Sequence, residues 1–194
     1  MSLTLAKIIW VIGIIAWTAI RWPHRRRAKK LAVSVDRKSV SERTLLALCI
    51  VGLVIIPALY LATDWFDSFD YSFSPLFALI GTLLMVGFLV LFHLSHKQVG
   101  KNWSVTLELR EDHKLITDGL YAHVRHPMYS SFWLWGLAQA FLLPNWIAGF
   151  AGVASVALLY FSRVSNEEQM MREAFGEEYD AYCTRTPRIL PRIF

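Results

Sequence analysis

Long apolar stretches separated by charged loops dominate the sequence. A helix that crosses a membrane needs about 20 mostly apolar residues. Four stretches meet this requirement, at residues 3–20, 44–63, 73–95 and 129–162. Each is bounded by charged or turn-forming residues. The pattern therefore predicts an all-α, polytopic integral membrane protein.

The fourth stretch is too long for one membrane helix. It runs for 34 residues without a charge, and as a single helix it would be about 51 Å long, against a hydrocarbon core of about 30 Å. Pro144-Asn145 lies near its middle and is typical of a turn. We therefore expect a tight hairpin of two short helices, about 129–143 and 146–162, which brings the predicted spans to five.

The loop charges predict the orientation of these spans. Nine Lys and Arg residues lie in loop 21–43, whereas loop 64–72 has none and carries three Asp residues. Segment 96–128 and the tail from residue 163 onward each hold five basic residues. Because basic loops stay on the cytoplasmic side, we expect the N-terminus outside and these three basic segments inside. An active site is then expected on the cytoplasmic face.

Composition agrees with a membrane protein and excludes several other classes. Hydrophobic residues make up 55% and charged residues 18% of the chain, and the mean hydropathy is +0.40, whereas soluble domains carry about 25% charged residues. We expect a single domain over 1–194. The basic charge is concentrated in loop 21–43, so no nucleic-acid partner is predicted.

Cys49 and Cys183 lie in dissimilar surroundings, so neither a disulfide nor a metal site is expected. The first stretch lacks a cleavage site and is interpreted as a retained helix.

Three short patterns organise the cytoplasmic part of the chain. Trp103–Arg110 alternates between apolar and polar residues, which predicts a short extended segment. Thr117-Asp118-Gly119 predicts a turn. Residues 165–183 are amphipathic at helical spacing, which predicts a C-terminal packing helix.

Two groups of polar residues at the ends of predicted spans are candidates for chemistry. Arg125-His126-Pro127-Met128-Tyr129 opens the fourth span, where the basic pair either anchors the helix at the headgroups or donates to an anion at the helix start. Arg163 and Glu167 share one face at the end of the fifth span and can pair, with Glu168 beside them. Arg163 is either a snorkelling arginine or part of a site. His113-Lys114-Leu115-Ile116 and Tyr121, taken alone, form a polar loop.

In this order the motifs resemble the isoprenylcysteine carboxyl methyltransferase family and the wider group that includes phospholipid methyltransferases. The sequence runs from His113-Lys-Leu-Ile through Gly119-Leu-Tyr, Arg125-His-Pro-Met-Tyr and Arg163-x-x-x-Glu-Glu to Phe175-Gly-Glu-Glu-Tyr. The resemblance covers roughly residues 96–191. The five-span plan looks like that of the prokaryotic members, which implies a prokaryotic plasma membrane.

The resemblance implies a cytoplasmic pocket for S-adenosyl-L-methionine, released as S-adenosyl-L-homocysteine, and a lipidic or prenylated acceptor that enters from the bilayer. By motif, the residues along the cofactor would be His113, Lys114, Leu115, Ile116, Tyr121, His126, Pro127, Met128 and Tyr129. Glu167 would hold a polar group of the cofactor, and Arg163 would bind the carboxylate of the acceptor. Between these two residues the chain has Val164-Ser165-Asn166, where family members are often more acidic.

Carboxyl methylation agrees with the residues available. A carboxylate is ionised at neutral pH, so the reaction needs positioning and exclusion of water rather than a general base. No acid–base dyad stands out in the sequence.

Three alternatives remain open: a phospholipid or amine N-methyltransferase on the same scaffold, a membrane reductase that uses NADPH, and a scaffold protein without enzymatic activity.

Overall fold

The computed structural model describes residues 1–28, 33–36, 40–100, 108–110 and 115–191. Helices make up most of these ranges. The α-helices are α1 (Leu3–Ala28), α2 (Val40–Ile50), α3 (Ile56–Ala62), α4 (Pro75–Val99), α5 (Pro127–Leu142), α6 (Trp146–Phe175) and α7 (Glu177–Arg185). A π-helical turn, Val51–Ile55, joins α2 to α3, and short 3-10 turns cover Asp67–Phe69 and Gly119–Ala122.

Four of the described helical stretches are long and apolar enough to cross a membrane. They are Leu3–Arg26, Ser41–Ala62, Pro75–Val99 and Trp146–Phe175. The second consists of α2, the π-helical turn and α3 in one continuous run. Helix α5 is equally apolar but has 16 residues, which gives a length of about 24 Å. The chain is therefore an integral membrane protein built on at least four apolar helices.

Apolar side chains on the outer faces of these helices are left uncovered. Ile15 is 63% exposed on α1, Leu83 is 64% exposed on α4 and Phe161 is 71% exposed on α6. A soluble protein rarely exposes large continuous apolar areas, whereas lipid tails cover them in a bilayer. The exposure pattern agrees with the hydropathy of the helices.

Aromatic rings fill the space between α1, α4 and α5. Trp135 is fully buried on α5, with its ring centroid 4.9 Å from that of Trp17 on α1. Phe88 on α4 stacks on the same ring at 4.8 Å. Large flat side chains of this kind bury much area and prefer tilted or offset contacts. Trp135 thus ties three helices together.

A buried glutamine connects the π-helical turn to the α5–α6 pair. Nε2 of Gln139 donates to the backbone oxygens of Gly52 at 3.0 Å and Ala148 at 2.7 Å. A π-helical turn interrupts the regular series of backbone hydrogen bonds in a helix. The Gln139 side chain therefore supplies a donor to a backbone oxygen of the irregular turn.

Close approach of α5 and α6 depends on small residues: a Cβ on Gly136 would lie 3.0 Å from the backbone nitrogen of Val153.

The break between α5 and α6 lies at Pro144-Asn145, where the sequence predicts a turn. Asn145 is fully buried. Its Oδ1 accepts from the backbone N–H groups of Ile147 at 3.1 Å and Ala148 at 2.8 Å, which caps α6. Its Nδ2 donates to the Phe66 backbone oxygen and to Asp70 Oδ1, both at 2.7 Å. This side chain fixes the turn to loop 64–72.

Helix α6 extends well past the predicted span. The sequence places the end of the fifth span near residue 162 and a separate amphipathic helix over 165–183, but α6 continues unbroken to Phe175. No glycine or proline lies between Arg163 and Gly176, whose φ of 53° ends the helix. The apolar face predicted for residues 165–183 packs inward, since Met170, Tyr179 and Tyr182 are all buried.

A two-stranded antiparallel ribbon accompanies the helices, so the prediction of an all-α chain omits a small element. Strand β1 (Val33–Asp36) pairs with β2 (Glu108–Arg110), with Val35 opposite Leu109. The end of the predicted extended segment Trp103–Arg110 is therefore a strand. The rest of that segment lies outside the described residues.

Candidate active site

The start of α5 is held by the segment that follows α7. His126 occupies the N-cap position of the helix without a side-chain capping bond, and Pro127 occupies its first position, where a missing N–H costs nothing. The backbone N–H of Arg125 donates to Pro187 O, and that of His126 to Arg188 O, both at 2.8 Å. The C-terminal segment thus closes over the helix start, a contact that no local sequence signal indicates.

Glu168 is the centre of a buried charge cluster. Its side chain is 1% exposed, and it accepts from Arg125 Nη2 at 2.8 Å and from Arg188 Nη2 at 2.8 Å. His126 Nε2 lies 3.3 Å from the same carboxylate. Arg125 also donates to the backbone oxygens of Cys183 and Thr186. The anion that Arg125 and His126 bind is therefore a carboxylate of the protein itself. Charge-assisted bonds of this length are strong, so the cluster fixes α5, α6 and the C-terminal segment together.

Glu167, the residue before Glu168, shares His126 with it but otherwise contacts different side chains. Tyr129 donates its hydroxyl proton to Glu167 Oε2 at 2.9 Å, and His126 Nδ1 lies 3.9 Å from Oε1. The Glu167 side chain is 29% exposed. Glu167 therefore remains open to a ligand, whereas Glu168 is enclosed.

Arg163 forms the predicted pair with Glu167 and a second pair that the sequence does not reveal. Its Nε lies 3.8 Å from Glu167 Oε2, and its Nη2 lies 3.5 Å from Glu42 Oε1 in the first turn of α2. The Arg163 and Glu42 side chains are only 11% and 5% exposed. A guanidinium this deeply enclosed between two carboxylates is held by the site rather than extended to the headgroups.

The segment before α5 is fixed by Gln98 at the end of α4. Gln98 Nε2 donates to Asp118 O at 2.5 Å, and Gln98 Oε1 accepts from Leu120 N at 3.0 Å. Gly119 has a φ of 54°, which confirms the predicted turn there.

Tyr121 follows in the 3-10 turn, and the Tyr182 hydroxyl donates to its backbone oxygen at 2.6 Å. Burial, with the nearby Glu167 carboxylate, raises the pKa of Tyr121 well above its usual value, so its phenol stays neutral.

The predicted cofactor residues are only partly brought together. His126, Pro127, Met128 and Tyr129 lie together at the α5 start, and His126 and Tyr129 contact Glu167 on α6. Leu115 and Ile116 are half-buried ahead of the Gly119 turn. His113 and Lys114 lie outside the described residues.

An apolar cavity of about 110 Å³ borders this group at Met128. Its apolar walls include Leu53, Phe92, Met128, Trp135 and Leu159, and Arg21 and His96 add polar groups. Leu159 precedes Arg163 by one turn of α6, and Met128 is next to Tyr129. A buried apolar space therefore lies beside a cluster of charged groups.

Comparison with known proteins gives this arrangement a family. The sequence model of the isoprenylcysteine carboxyl methyltransferase (ICMT) family matches residues 79–173. That part of the chain is therefore similar to the ICMT family. The match begins within α4 and includes Arg125 to Tyr129, Arg163 and Glu167, but it ends before Arg188. The sequence alone placed the resemblance further toward the C-terminus, at about 96–191.

Two curated relatives illustrate how far the ICMT similarity extends. The protein-S-isoprenylcysteine O-methyltransferase of Schizosaccharomyces pombe is 34% identical over 98 residues, which is 50% of this chain and 42% of the relative. The human protein of the same name is 36% identical over 92 residues, which is 47% of this chain and 32% of the relative. The matched stretch thus spans less than half the length of either protein.

A solved ICMT structure shares the fold. The eukaryotic intramembrane Ras methyltransferase ICMT superposes with a TM-score of 0.53 at 23% identity, covering 82% of this chain and 55% of the other. The superposition includes helices outside the family match. Glu42 lies outside the family match as well, and its pairing with Arg163 becomes visible only in three dimensions.

Proposed function

We propose that the protein transfers a methyl group from S-adenosylmethionine to the carboxylate of an isoprenylcysteine-like lipid. The observation that carries this proposal is the position of Arg163. It is an enclosed cation within the family-matched segment, one helical turn from an apolar cavity and 3.8 Å from the accessible carboxylate of Glu167. The curated relatives are named as isoprenylcysteine O-methyltransferases, which supports the same reaction.

The residues at the α5 start fit a cofactor that carries a positive charge and hydroxyl groups. Glu167 is the partly exposed carboxylate of the site, and the ring of Tyr129 lies 5.6 Å from that of His126 and 5.3 Å from that of Tyr160. Aromatic faces and a carboxylate both favour a cation. When bound, the cofactor would supply a methyl group activated by a sulfonium. Glu167 would hold a polar group of it, and His126 to Tyr129 would line it, with His113 to Ile116 and Tyr121 completing the wall.

The acceptor would be held at two ends. Arg163 would bind its carboxylate, because a guanidinium matches a carboxylate with two parallel hydrogen bonds. The apolar cavity would take part of an isoprenoid chain, since burying apolar surface is favourable by about 25 cal/mol per Å². With both ends fixed, these residues would orient the carboxylate toward the methyl group that the cofactor supplies, and orientation alone contributes strongly to the rate. No side chain needs to remove a proton.

We propose the topology that the loop charges predict. Helices α5 and α6 form a hairpin of two spans, which with α1, the α2–α3 run and α4 makes five in a single domain. The N-terminus lies outside and the site is cytoplasmic. Short α5 is accommodated by packing on α4 and α6. Labelling of single cysteines at loop 64–72 and in the 177–185 helix from each side of a sealed membrane tests this arrangement.

One observation favours a second candidate, an amine or phospholipid N-methyltransferase. Glu42 and Glu167 both face Arg163, and an acidic, tyrosine-lined site also suits an amine acceptor. The matched relatives favour the carboxylate.

Methyl transfer by the purified protein in lipid nanodiscs separates these candidates. The cofactor carries a radiolabelled methyl group, and the acceptors are N-acetyl-S-farnesylcysteine, its methyl ester and phosphatidylethanolamine. We expect label only on the free acid, released by mild base as an ester is. Base-stable label on phosphatidylethanolamine alone would establish the N-methyltransferase instead.

A further inference from the structure

Glu42 is a buried acid that the proposed reaction does not use. It lies in the first turn of α2, is 4% exposed and places Oε1 3.5 Å from Arg163 Nη2. Residue 42 precedes the family match, which begins at 79. A carboxylate from the N-terminal half of the chain thus enters the candidate site from a different helix than the residues of the motif.

Glu42 lies at the atom of Arg163 that an acceptor needs most. A guanidinium offers two pairs of parallel N–H donors, Nε with Nη2 and Nη1 with Nη2, and Nη2 belongs to both. Any carboxylate that binds Arg163 through two hydrogen bonds therefore uses Nη2. Because like charges placed together at a binding site cost several kcal/mol, Glu42 and an acceptor carboxylate compete for the same position.

The distances distinguish this pair from the structural pairs nearby. Glu168 receives Arg125 and Arg188 at 2.8 Å, within the range of about 2.7–2.9 Å for charge-assisted hydrogen bonds. Glu42 and Arg163 are 3.5 Å apart, which is longer than that range. Glu168 is therefore bound tightly into the fold, whereas Glu42 lies farther from Arg163 than a charge-assisted hydrogen bond requires.

We propose that Glu42 is a positioning residue that holds Arg163 while no acceptor is bound and that the acceptor carboxylate displaces it. The inference rests on the proposed function. The displacement opposes binding of every carboxylate at Arg163. An acceptor with a long apolar group offsets it by filling the adjacent cavity, whereas a small carboxylate does not. Glu42 thus makes the site selective for lipidic acids.

Direct binding tests this role without using turnover. The full-length protein in detergent, with S-adenosylhomocysteine present, is titrated with N-acetyl-S-farnesylcysteine and with its methyl ester. Glu42→Gln removes the competing charge, so the acid should bind about tenfold more tightly, while the ester should bind as it does to the unmodified protein. Glu178→Gln, which also removes an acid from the first turn of a helix, is the matched control and should change neither affinity.

A purely structural role for Glu42 gives a different result. The proposal is overturned if Glu42→Gln binds the acid no more tightly than the unmodified protein, or if the acid and the ester change together. Glu42→Ala is a second variant with the same expectation, and failure of both variants to fold would also overturn the proposal in favour of a structural pair. Failure of the proposed function shows separately, as absence of methyl transfer to the acid by the unmodified protein.

Discussion

Arg125 and Glu168, 43 residues apart in the chain, are joined by a 2.8 Å hydrogen bond from Nη2 to Oε1. The bond ties the start of α5 to the C-terminal third of α6, and Arg188 extends it to the C-terminal segment. Glu167, the next residue, is open to a ligand. We therefore expect the adjacent acids to have separate tasks, with Glu168 stabilising the fold and Glu167 binding a ligand.

Replacing Glu168 should damage the fold. Glu168→Gln leaves Arg125, 9% exposed, without its counter-charge, and breaking a buried pair in this way costs about 3–5 kcal/mol. Thermal unfolding in detergent should show a clear drop in midpoint. Arg188 is half exposed, so Arg188→Ala should cost about 1 kcal/mol or less. Equal effects of the two variants would contradict a central role for Glu168.

Replacing Glu167 should affect the cofactor instead. Glu167→Gln keeps the shape of the side chain but removes its charge. A hydrogen bond to a charged group contributes about 1.5–3 kcal/mol, so its loss should weaken cofactor binding roughly tenfold or more. Titration with S-adenosylhomocysteine measures this, while the unfolding midpoint should stay near that of the unmodified protein. Saturable binding of NADPH, with none of S-adenosylhomocysteine, would point to a reductase.

Gly119 should be intolerant of a side chain for two reasons. Its φ is 54°, and a Cβ there would collide with the Gln98 side chain that holds the turn. The backbone strain alone costs about 1–2 kcal/mol. Gly176 has a similar positive φ of 53°, but a Cβ added there would have nothing within 4 Å, so Gly176→Ala carries only the strain. Gly119→Ala should therefore lower the unfolding midpoint more than Gly176→Ala, and the reverse order would contradict the role of Gln98.

Asn145 should be required for stability and dispensable for chemistry. Asn145→Ala removes the cap of α6 and the donors to loop 64–72, with an expected cost of about 2 kcal/mol or more. Asn145→Asp keeps the capping oxygen but places a carboxylate beside Asp70, so it should also destabilise the protein. Unfolding midpoints measure both effects, and cofactor affinity of the folded fraction should not change.

Hydropathy and loop charge were enough to predict the apolar helices, because long runs of apolar residues leave few alternatives to a membrane helix. The break at Pro144-Asn145 was also predictable, from the turn preference of that pair. The length of α6 was not, since its continuation depends on contacts of Glu168 and Met170 rather than on hydropathy.

The candidate site was predictable only where the motif residues are close in sequence. Arg163 and Glu167 are four residues apart and therefore share a helix face. Glu42 and Arg188 reach the same site from distant parts of the chain, through packing of α2 on α6 and closure of the C-terminal segment. A motif carries no information about such partners.

The central claim is that Arg163 binds the carboxylate of the acceptor, and one comparison tests it most directly. Methyl transfer to N-acetyl-S-farnesylcysteine and binding of S-adenosylhomocysteine are measured for the unmodified protein and for Arg163→Ala. We expect turnover of the acid to be nearly abolished while S-adenosylhomocysteine still binds. Retention of most of the methyl transfer by Arg163→Ala would contradict the assignment and favour an acceptor without a carboxylate.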